Sequence, residues 1–379
     1  MDTLDETIIL SHEQLHKNNS RYWFGNYARH SKAILAQEKL LKHLKNVKTG
    51  LVKVNAADYI NTLAINEKKE NENVLVLTHG FGAGLGFFHR NYEGLEENLK
   101  DWTIYSIDWL GMANSSRPKF PLQNSTLTEL ENVKIAESFF IDSLENWRKT
   151  LNIKKFTLAG HSLGGYLSLS YCEKYPENVE KLILISPAGV GPRPTDEDLK
   201  ERFRNRSWTF SLAHSIWTRG ISPQSIVRRT GWLGQNLVQK YSSRRFSHLS
   251  VEELKDFHDY FLHITTQTGS GEYSLSSLLI PGAYAKFPIG ERLKKLNIGV
   301  SFLYGSDDWM DYKSAVEIAN GMAHKPNIVR VLQAGHHLYS DQPAAFNLAL
   351  IREVKNLETF KKFKDGSGLI YVDIENNKL

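Results

Sequence analysis

The chain contains almost no cysteine. Only one of its 379 residues is a cysteine, Cys172, so no disulfide can form within it. Such usage is typical of a reducing compartment, whereas small secreted domains depend on several disulfides. Cys172 lies in an apolar stretch, and we expect it to fill buried space rather than to react.

Long apolar runs are also missing. No stretch approaches the roughly 18 consecutive apolar residues that span a membrane. The first residues, Met-Asp-Thr-Leu-Asp-Glu, are acidic and lack both the apolar core of a secretory signal and the arginines of a transit peptide. We therefore expect an intracellular, cytoplasmic protein whose membrane association is peripheral, with the mitochondrial and lipid-droplet surfaces both open.

The net charge and the composition are compatible with most classes of globular protein. A net charge of +5, with 41% hydrophobic and 23% charged residues, is ordinary for a globular protein. The length suffices to bury a large core, either in one α/β domain with an inserted segment or in two domains.

Short apolar runs alternate with helical patterns along much of the chain. Helices are predicted at 29–47, at 126–149 and from Tyr166 until Pro176. Strands are predicted at 51–54, 59–65, 74–78, 103–108, 156–159, 182–186, 300–304 and 328–332, with a further edge strand available at 369–372. This alternation predicts an α/β fold with a mostly parallel central sheet covered by helices on both faces.

The alternation breaks after Pro187. Residues 188–290 carry helical patterns, three tryptophans and much arginine, and they predict a helical lid inserted between two strands. The predicted organisation is an N-terminal aromatic and basic segment, two core parts around the lid, and a polar tail, at 1–50, 51–187, 188–290, 291–364 and 365–379. The N-terminal segment is interpreted as a helix packed on the core or as a membrane anchor that includes Trp23.

The motif Gly160-His-Ser162-Leu-Gly164 stands between a buried strand and a helix. The pentapeptide alone is weak, because glycine and serine are common. In the strand–turn–helix context, G-x-S-x-G predicts a nucleophile elbow that lifts the serine hydroxyl above the sheet. Ser162 is therefore the candidate nucleophile.

A serine nucleophile needs a histidine base and an acid that orients it. On this fold both follow later strands, in the order serine, acid, histidine. Strand 300–304 is followed by the acidic cluster Asp307, Asp308 and Asp311, of which Asp308 is favoured and the others are alternatives. Strand 328–332 is followed by His336, the favoured base, and His337, its alternative.

Acyl transfer also requires N–H donors that face the developing oxyanion. One is expected from Leu163, directly after the nucleophile. The other is expected from the loop His79-Gly-Phe81-Gly after an early strand, with Phe81 as the donor.

These motifs resemble the α/β-hydrolase subfamily of N-acylphosphatidylethanolamine lipase, the lipolysis co-activator, and the fungal cardiolipin deacylase and lysophosphatidic acid acyltransferase. The resemblance extends from about Trp23 to Asn347. It rests on Gly160-His-Ser-Leu-Gly-Gly165, Asp108-Trp-Leu-Gly-Met-Ala-Asn-Ser-Ser-Arg-Pro118, Ser222-Pro-Gln-Ser-Ile-Val-Arg228 with Gly231-Trp-Leu-Gly234, and Gly335-His-His-Leu-Tyr-Ser-Asp-Gln-Pro343. The co-activator branch lacks the elbow serine; Ser162 is present here and favours an active enzyme.

The resemblance implies a serine hydrolase of phospholipid acyl esters that needs no metal and no organic cofactor. The family's His-x4-Asp motif, linked there to acyl transfer, falls on His336 and Asp341. Asp341 also stands where it could cap the helix that Pro343 favours.

Lid charge favours a phospholipid partner over nucleic acid. From 188 to 245, eleven Lys and Arg face four Asp and Glu, a net charge of +7. Interleaved with tryptophan, this pattern predicts contact with anionic lipid, and no nucleic-acid motif accompanies it. The candidate headgroup or membrane residues are Arg228, Arg229, Arg244, Arg245 and Trp23.

Two other functions remain open at this point. One is an acyltransferase that uses acyl-CoA and lysophosphatidic acid at the same site. The other is an adaptor that regulates a lipase and has lost its own catalysis.

Overall fold

The computed structural model describes residues 9–10, 27–68, 73–195, 197–199, 201, 220–357 and 369–372. Trp23 and its aromatic neighbours at 22 and 24 lie outside the described residues. None of the helices in these ranges is long and apolar enough to cross a bilayer.

A central sheet organises the described part of the chain, and ten strands there form it. Its spatial order is β1-β2-β3-β5-β4-β6-β7-β10-β11-β12. Neighbours from β5 to β12 pair in parallel, and the β1, β2 and β3 end is antiparallel. The strands, with the small β8–β9 hairpin, are β1 Ile9–Leu10, β2 Val47–Lys53, β3 Tyr59–Ile65, β4 Val74–Thr78, β5 Thr103–Ile107, β6 Phe156–His161, β7 Val179–Ile185, β8 Leu279–Ile280, β9 Tyr284–Ala285, β10 Gly299–Gly305, β11 Asn327–Val331 and β12 Ile370–Val372.

Helices cover both faces of the sheet. They are α1 Tyr27–Leu41, α2 Tyr92–Asn98, α3 Glu129–Thr150, α4 Leu163–Lys174, α5 Pro223–Arg229, α6 Trp232–Arg245, α7 Val251–Thr265, α8 Ser274–Leu278, α9 Gly290–Leu293, α10 Tyr312–Ala319, α11 Leu338–Asp341 and α12 Pro343–Val354. Short 3-10 turns occur at Leu85–Phe88, Pro176–Asn178 and Gly271–Tyr273. The predicted parallel sheet between helical layers is confirmed.

Alternate residues of the central strands supply two separate cores. In β7, Leu182 and Leu184 pack in one cluster with α3 and α4, whereas Ile183 and Ile185 pack in the other with α2 and α12. A strand that is apolar on both faces can only be buried between two layers. The loops that follow the parallel strands are thereby held at one edge of a rigid sheet.

The first predicted helix is too long at its C-terminal end. The helix α1 ends at Leu41, because the chain from Val47 onward pairs as β2 with β3. Lys39 of α1 and Lys42, just after it, both bind Asp256 of α7, at 2.8 and 3.1 Å.

The chain between β7 and β10 contains α5, α6 and α7, where the helical lid is predicted. This segment also contains the β8–β9 hairpin, which the sequence pattern does not predict. Helix α7 holds the segment to the core. Phe257 and Tyr260 are buried in the second core cluster, and the Tyr260 hydroxyl accepts a hydrogen bond from Gly86 N at 3.2 Å.

Candidate active site

Ser162 occupies a strained turn between β6 and α4. Its φ of 54° and ψ of −117° lie where residues other than glycine are rare. The backbone is held there on both sides: Ser162 N donates to Ile185 O at 2.9 Å, and Ser162 O accepts from Ala188 N at 3.1 Å. The half-buried side chain therefore stands above the carboxyl edge of the sheet.

Two glycines allow this turn to pack closely. A Cβ on Gly164 would lie 2.5 Å from the His79 carbonyl oxygen. A Cβ on Gly80 would lie 2.9 Å from both Ser162 Cβ and His161 Nδ1. The loop after β4 can approach the serine because both positions lack a side chain.

The structure brings Ser162, His336 and Asp308 into one hydrogen-bonded chain. His336 Nε2 lies 3.1 Å from Ser162 Oγ, and His336 Nδ1 lies 3.1 Å from Asp308 Oδ1. Each of these residues follows a parallel strand, β6, β11 or β10, so the sheet sets their spacing. The arrangement suits proton transfer from the hydroxyl to the imidazole.

The alternative candidates lie elsewhere. Asp311 caps α10, where its Oδ1 accepts from Lys313 N at 2.9 Å. Asp307 is exposed, and its backbone N–H donates to Ala334 O. His337 is half-buried and lies against the rings of Phe87 and Phe246.

The two expected oxyanion donors face the same cavity as the serine. Phe81 and Leu163 line this cavity of about 740 Å³ together with Ser162 and His336. Neither backbone N–H donates a hydrogen bond within the described ranges. Leu163 is the first residue of α4, where N–H groups have no partner in the helix.

The rest of the cavity is mainly apolar. Its volume is within the usual range for small-molecule sites. Trp309 is exposed and lies over His336, with ring centroids 5.0 Å apart. Other lining residues are Leu275, Leu279, Met310, Tyr241, Arg245 and Asp341.

Comparison with known proteins agrees with this geometry. Residues 73–343 match the sequence profile of a family described as the alpha/beta hydrolase fold. This chain belongs to the α/β-hydrolase family. The fold expected from the sequence is thereby confirmed.

Relatives of this α/β-hydrolase carry names from lipid metabolism. A protein of Arabidopsis thaliana named 1-acylglycerol-3-phosphate O-acyltransferase is 35% identical over 306 residues, covering 78% of this chain and 70% of that protein. A protein of Mus musculus named (Lyso)-N-acylphosphatidylethanolamine lipase is 32% identical over 303 residues, covering 78% and 82%. The family resemblance seen in the motifs is confirmed.

A solved structure gives the same fold at much lower identity. A carboxylesterase of Bacillus subtilis superimposes with a TM-score of 0.60 at 17% identity, covering 86% of this chain and 98% of that one. It supports the fold alone.

Two of the four predicted lid arginines do not lie free on the surface of this α/β-hydrolase. Arg228 binds Glu272, with Nη1 to Oε2 at 3.2 Å. Arg245 makes two parallel hydrogen bonds to Asp341, at 2.9 and 3.0 Å. These two charges are compensated by carboxylates of the same chain. Arg229 and Arg244 remain exposed.

Asp341 does not cap the following helix as considered from the sequence. It ends α11, and the residue preceding α12 is Gln342, whose side chain makes no capping bond. Asp341 Oδ2 instead accepts the Gly335 N–H at 2.9 Å.

His161 is the functional neighbour that sequence reasoning missed. Its Nε2–H donates to the His336 carbonyl oxygen at 2.9 Å, and the two rings lie 4.7 Å apart. Burial, followed by the charge of a protonated His336, holds the pKa of His161 well below its ordinary value. His161 therefore supports the base as a neutral donor. The variable position of G-x-S-x-G was the only signal, and the motif places no demand on it.

Proposed function

We propose that this protein is a serine hydrolase that cleaves acyl esters of glycerophospholipids through an acyl-enzyme. The carrying observation is the pair of 3.1 Å contacts that His336 makes, to Ser162 Oγ on one side and Asp308 Oδ1 on the other. Membership of the α/β-hydrolase family supports acyl-ester chemistry, as do relatives named as a lipase and an acyltransferase.

In the proposed reaction, Ser162 Oγ attacks the ester carbonyl while His336 Nε2 takes the hydroxyl proton. The N–H groups of Phe81 and Leu163 donate to the oxyanion, and Asp308 stabilises the imidazolium. The C–O bond to the glycerol then breaks, and His336 returns the proton to the leaving alkoxide. Water, activated by His336, releases the fatty acid from Ser162.

Acyl transfer is the second candidate. The acyltransferase name of the plant relative favours it. Acyl-CoA would then acylate Ser162 as its C–S bond breaks, and His336 would give the proton to the leaving CoA thiolate. The hydroxyl of a lysophosphatidic acid would replace water as the attacking group at His336. Labelled acyl-CoA supplied with lysophosphatidic acid tests this route. A labelled diacyl product supports transfer, whereas labelled free fatty acid alone supports hydrolysis.

We further propose that α6 rests on an anionic membrane surface. Leu233, Leu237 and Tyr241 recur at four-residue spacing, so they share one face of the helix, and they are 50%, 55% and 42% exposed. Lys240 and Arg244 flank this face and are exposed too. Tyr241 also lines the cavity, which would bring lipid from the surface to Ser162.

The test of the catalytic proposal is a comparison of the wild type with Ser162→Ala. Labelling by a fluorophosphonate and hydrolysis of a short-chain nitrophenyl ester should both depend on Ser162. We expect kcat to fall by about 10⁴-fold or more, as for other serine triads. An unlabelled wild type would favour the adaptor, and normal turnover by pure Ser162→Ala would exclude the acyl-enzyme.

A further inference from the structure

The carboxylate of Asp341 accepts three hydrogen bonds from two residues. Arg245 Nη1 donates to Oδ1 at 2.9 Å and Nη2 to Oδ2 at 3.0 Å, and Gly335 N donates to Oδ2 at 2.9 Å. Arg245 is the last residue of α6, and Gly335 directly precedes His336. Asp341 thus bridges the inserted segment between β7 and β10 to the loop that carries the histidine.

The bridge is sheltered and geometrically specific. The side chains of Arg245 and Asp341 are 26% and 13% exposed, and the guanidinium also lies 5.5 Å from the Phe246 ring. Two parallel charge-assisted hydrogen bonds fix the carboxylate plane, which a single contact would leave free to rotate. The Gly335 amide therefore has a rigid acceptor.

Both carboxylate oxygens of Asp341 already accept hydrogen bonds from the protein. The hydroxyl of a substrate would have to compete with Arg245 and Gly335 for them. Within the described ranges, the hydrogen bonds to its side chain come from Arg245 and Gly335, and none comes from Ser162 or His336. His248 adds only a longer contact, Nδ1 to Oδ1 at 3.7 Å.

We propose that Asp341 is a positioning residue for His336 and that Arg245 is its partner in that role. Because Asp341 follows His336 by five residues, its contact with Arg245 holds the loop that carries His336 against α6. A fixed His336 is needed for hydrolysis and for acyl transfer alike. The inference rests on the proposed function only in that His336 is taken as the base.

Steady-state kinetics of Asp341→Asn, Arg245→Gln and Arg245→Lys on the soluble nitrophenyl ester test the bridge. Displacement of a base by about 1 Å costs on the order of 100-fold in rate. We expect kcat to fall 10- to 100-fold in Asp341→Asn and Arg245→Gln, with KM within about threefold. Arg245→Lys should retain an intermediate kcat, because it keeps the charge but loses the parallel pair of hydrogen bonds.

Asp256→Asn is the matched control, since it weakens the ion pairs of α7 with Lys39 and Lys42, which include no residue of the histidine loop. It should leave kcat within about twofold, an estimate based on the small coupling of exposed ion pairs. A kcat loss in Asp256→Asn equal to that in Asp341→Asn would mean general loosening and would overturn the proposal. Should Asp341→Asn fail to fold, the two Arg245 variants carry the test.

The ratio of transfer to hydrolysis separates positioning from direct catalysis. With a lysolipid acceptor present, Asp341→Asn should lower both products by the same factor. Loss of transfer with normal hydrolysis would place Asp341 at the acceptor and overturn the proposal, as would unchanged rates for both.

Hydrogen exchange of the peptide containing Gly335 reports the bridge independently of chemistry. Exchange there should accelerate at least 10-fold in Asp341→Asn and stay at the wild-type rate in Asp256→Asn. A wild type that a fluorophosphonate does not label would defeat the proposed function while leaving this measurement meaningful. A labelled wild type with unchanged exchange and kcat in Asp341→Asn would defeat the bridge alone.

Discussion

Asp308 receives two hydrogen bonds on the same carboxylate oxygen. Its Oδ1 accepts from His336 Nδ1 at 3.1 Å and from Met310 N at 3.0 Å. The side chain is 1% exposed, and Oδ2 accepts nothing from the described residues. The Met310 amide therefore orients the carboxylate before a substrate arrives, and the oriented carboxylate keeps His336 Nε2 free to accept the proton of Ser162.

Exchange of Asp308 for its amide should disable the base. Asp308→Asn should lower kcat by about 10³- to 10⁴-fold on the short-chain ester, since an amide at this position favours the wrong imidazole tautomer. Asp307→Asn and Asp311→Asn should stay within about tenfold of wild type, because an exposed carboxylate and a helix cap tolerate asparagine. Parallel kinetics of the three variants decide the matter, and Asp307→Asn as the most damaging change would refute the assignment.

The relation of Ser162, Asp308 and His336 was predictable from the sequence because each directly follows an apolar strand. Parallel strands bring their carboxyl ends to one edge of the sheet. The order of serine, acid and histidine along the chain, and the ends of the strands before them, therefore suffice to predict that the three residues meet. The contact of Asp341 with Arg245 was not predictable. These residues are 96 positions apart, and their pairing depends on how the inserted helices pack.

At the scale of elements, α6 has two faces with different partners. Leu233, Leu237 and Tyr241 point outward, whereas Val238 is buried and Arg245 turns inward to Asp341. Surface helices normally direct their apolar side chains inward. The proposed contact with an anionic lipid surface requires such an apolar face turned to solvent and cations beside it.

The apolar and cationic parts of α6 should contribute differently to membrane binding. Leu233→Ser with Leu237→Ser should weaken binding to anionic vesicles about 30-fold, since burial of each half-exposed leucine contributes on the order of 1 kcal/mol. Arg244→Gln should weaken it about fivefold at low salt and hardly at high salt, where exposed charges are screened. Vesicle co-sedimentation at two salt concentrations measures both effects.

Leu357→Ser is the control for this experiment, because Leu357 is an equally exposed leucine that follows α12. It should bind vesicles as the wild type does. Equal losses in Leu357→Ser and in the α6 variant would show that membrane contact is not specific to α6.

Two of the four arginines in the predicted cationic surface have carboxylate partners that lie further along the chain. Counting charges from 188 to 245 omitted the acids that later segments contribute, Glu272 and Asp341. A net charge counts charges without their partners, and buried guanidinium groups are found where carboxylates neutralise them.

Histidines near the active site make the free energy of unfolding of the whole molecule depend on pH. The pKa of His337 is held well below its ordinary value, first by burial and then by His336, His161, Arg245 and His248 around it. Below the ordinary histidine pKa of about 6.5, His337 binds a proton in the unfolded chain but stays neutral in the folded chain. Acid therefore favours unfolding, and the stability that this histidine contributes is present above that pH and lost below it.

Removal of one such histidine should flatten the acid limb of the stability curve. In His337→Gln, the free energy of unfolding should fall less steeply than in the wild type as the pH decreases from 6.5 to 5. The difference in slope should approach about 1.4 kcal/mol per pH unit, the value for one proton. Urea denaturation at a series of pH values measures it, and parallel curves would contradict it.

For the whole molecule, the alternation of strands and helices was predictable from the sequence, because a strand that is buried on both faces of the sheet is a continuous apolar run. The sequence did not reveal where α1 ends or that α1 lies against α7. Helical periodicity continues past Leu41, and only the pairing of Val47–Lys53 with β3 stops it. Packing between distant helices leaves no local pattern to detect.

The backbone conformation of Ser162 lowers the free energy of unfolding of the protein. At φ 54° and ψ −117°, glycine is relaxed and alanine is not. Ser162→Gly should therefore exceed Ser162→Ala in free energy of unfolding by about 1 kcal/mol, the reverse of the usual order for these two residues. Thermal unfolding of both inactive proteins compares them directly, and a higher midpoint for Ser162→Ala would contradict the expectation. Laboratory selection for heat resistance alone would thus drift toward glycine here, and only a demand for turnover keeps the serine in place.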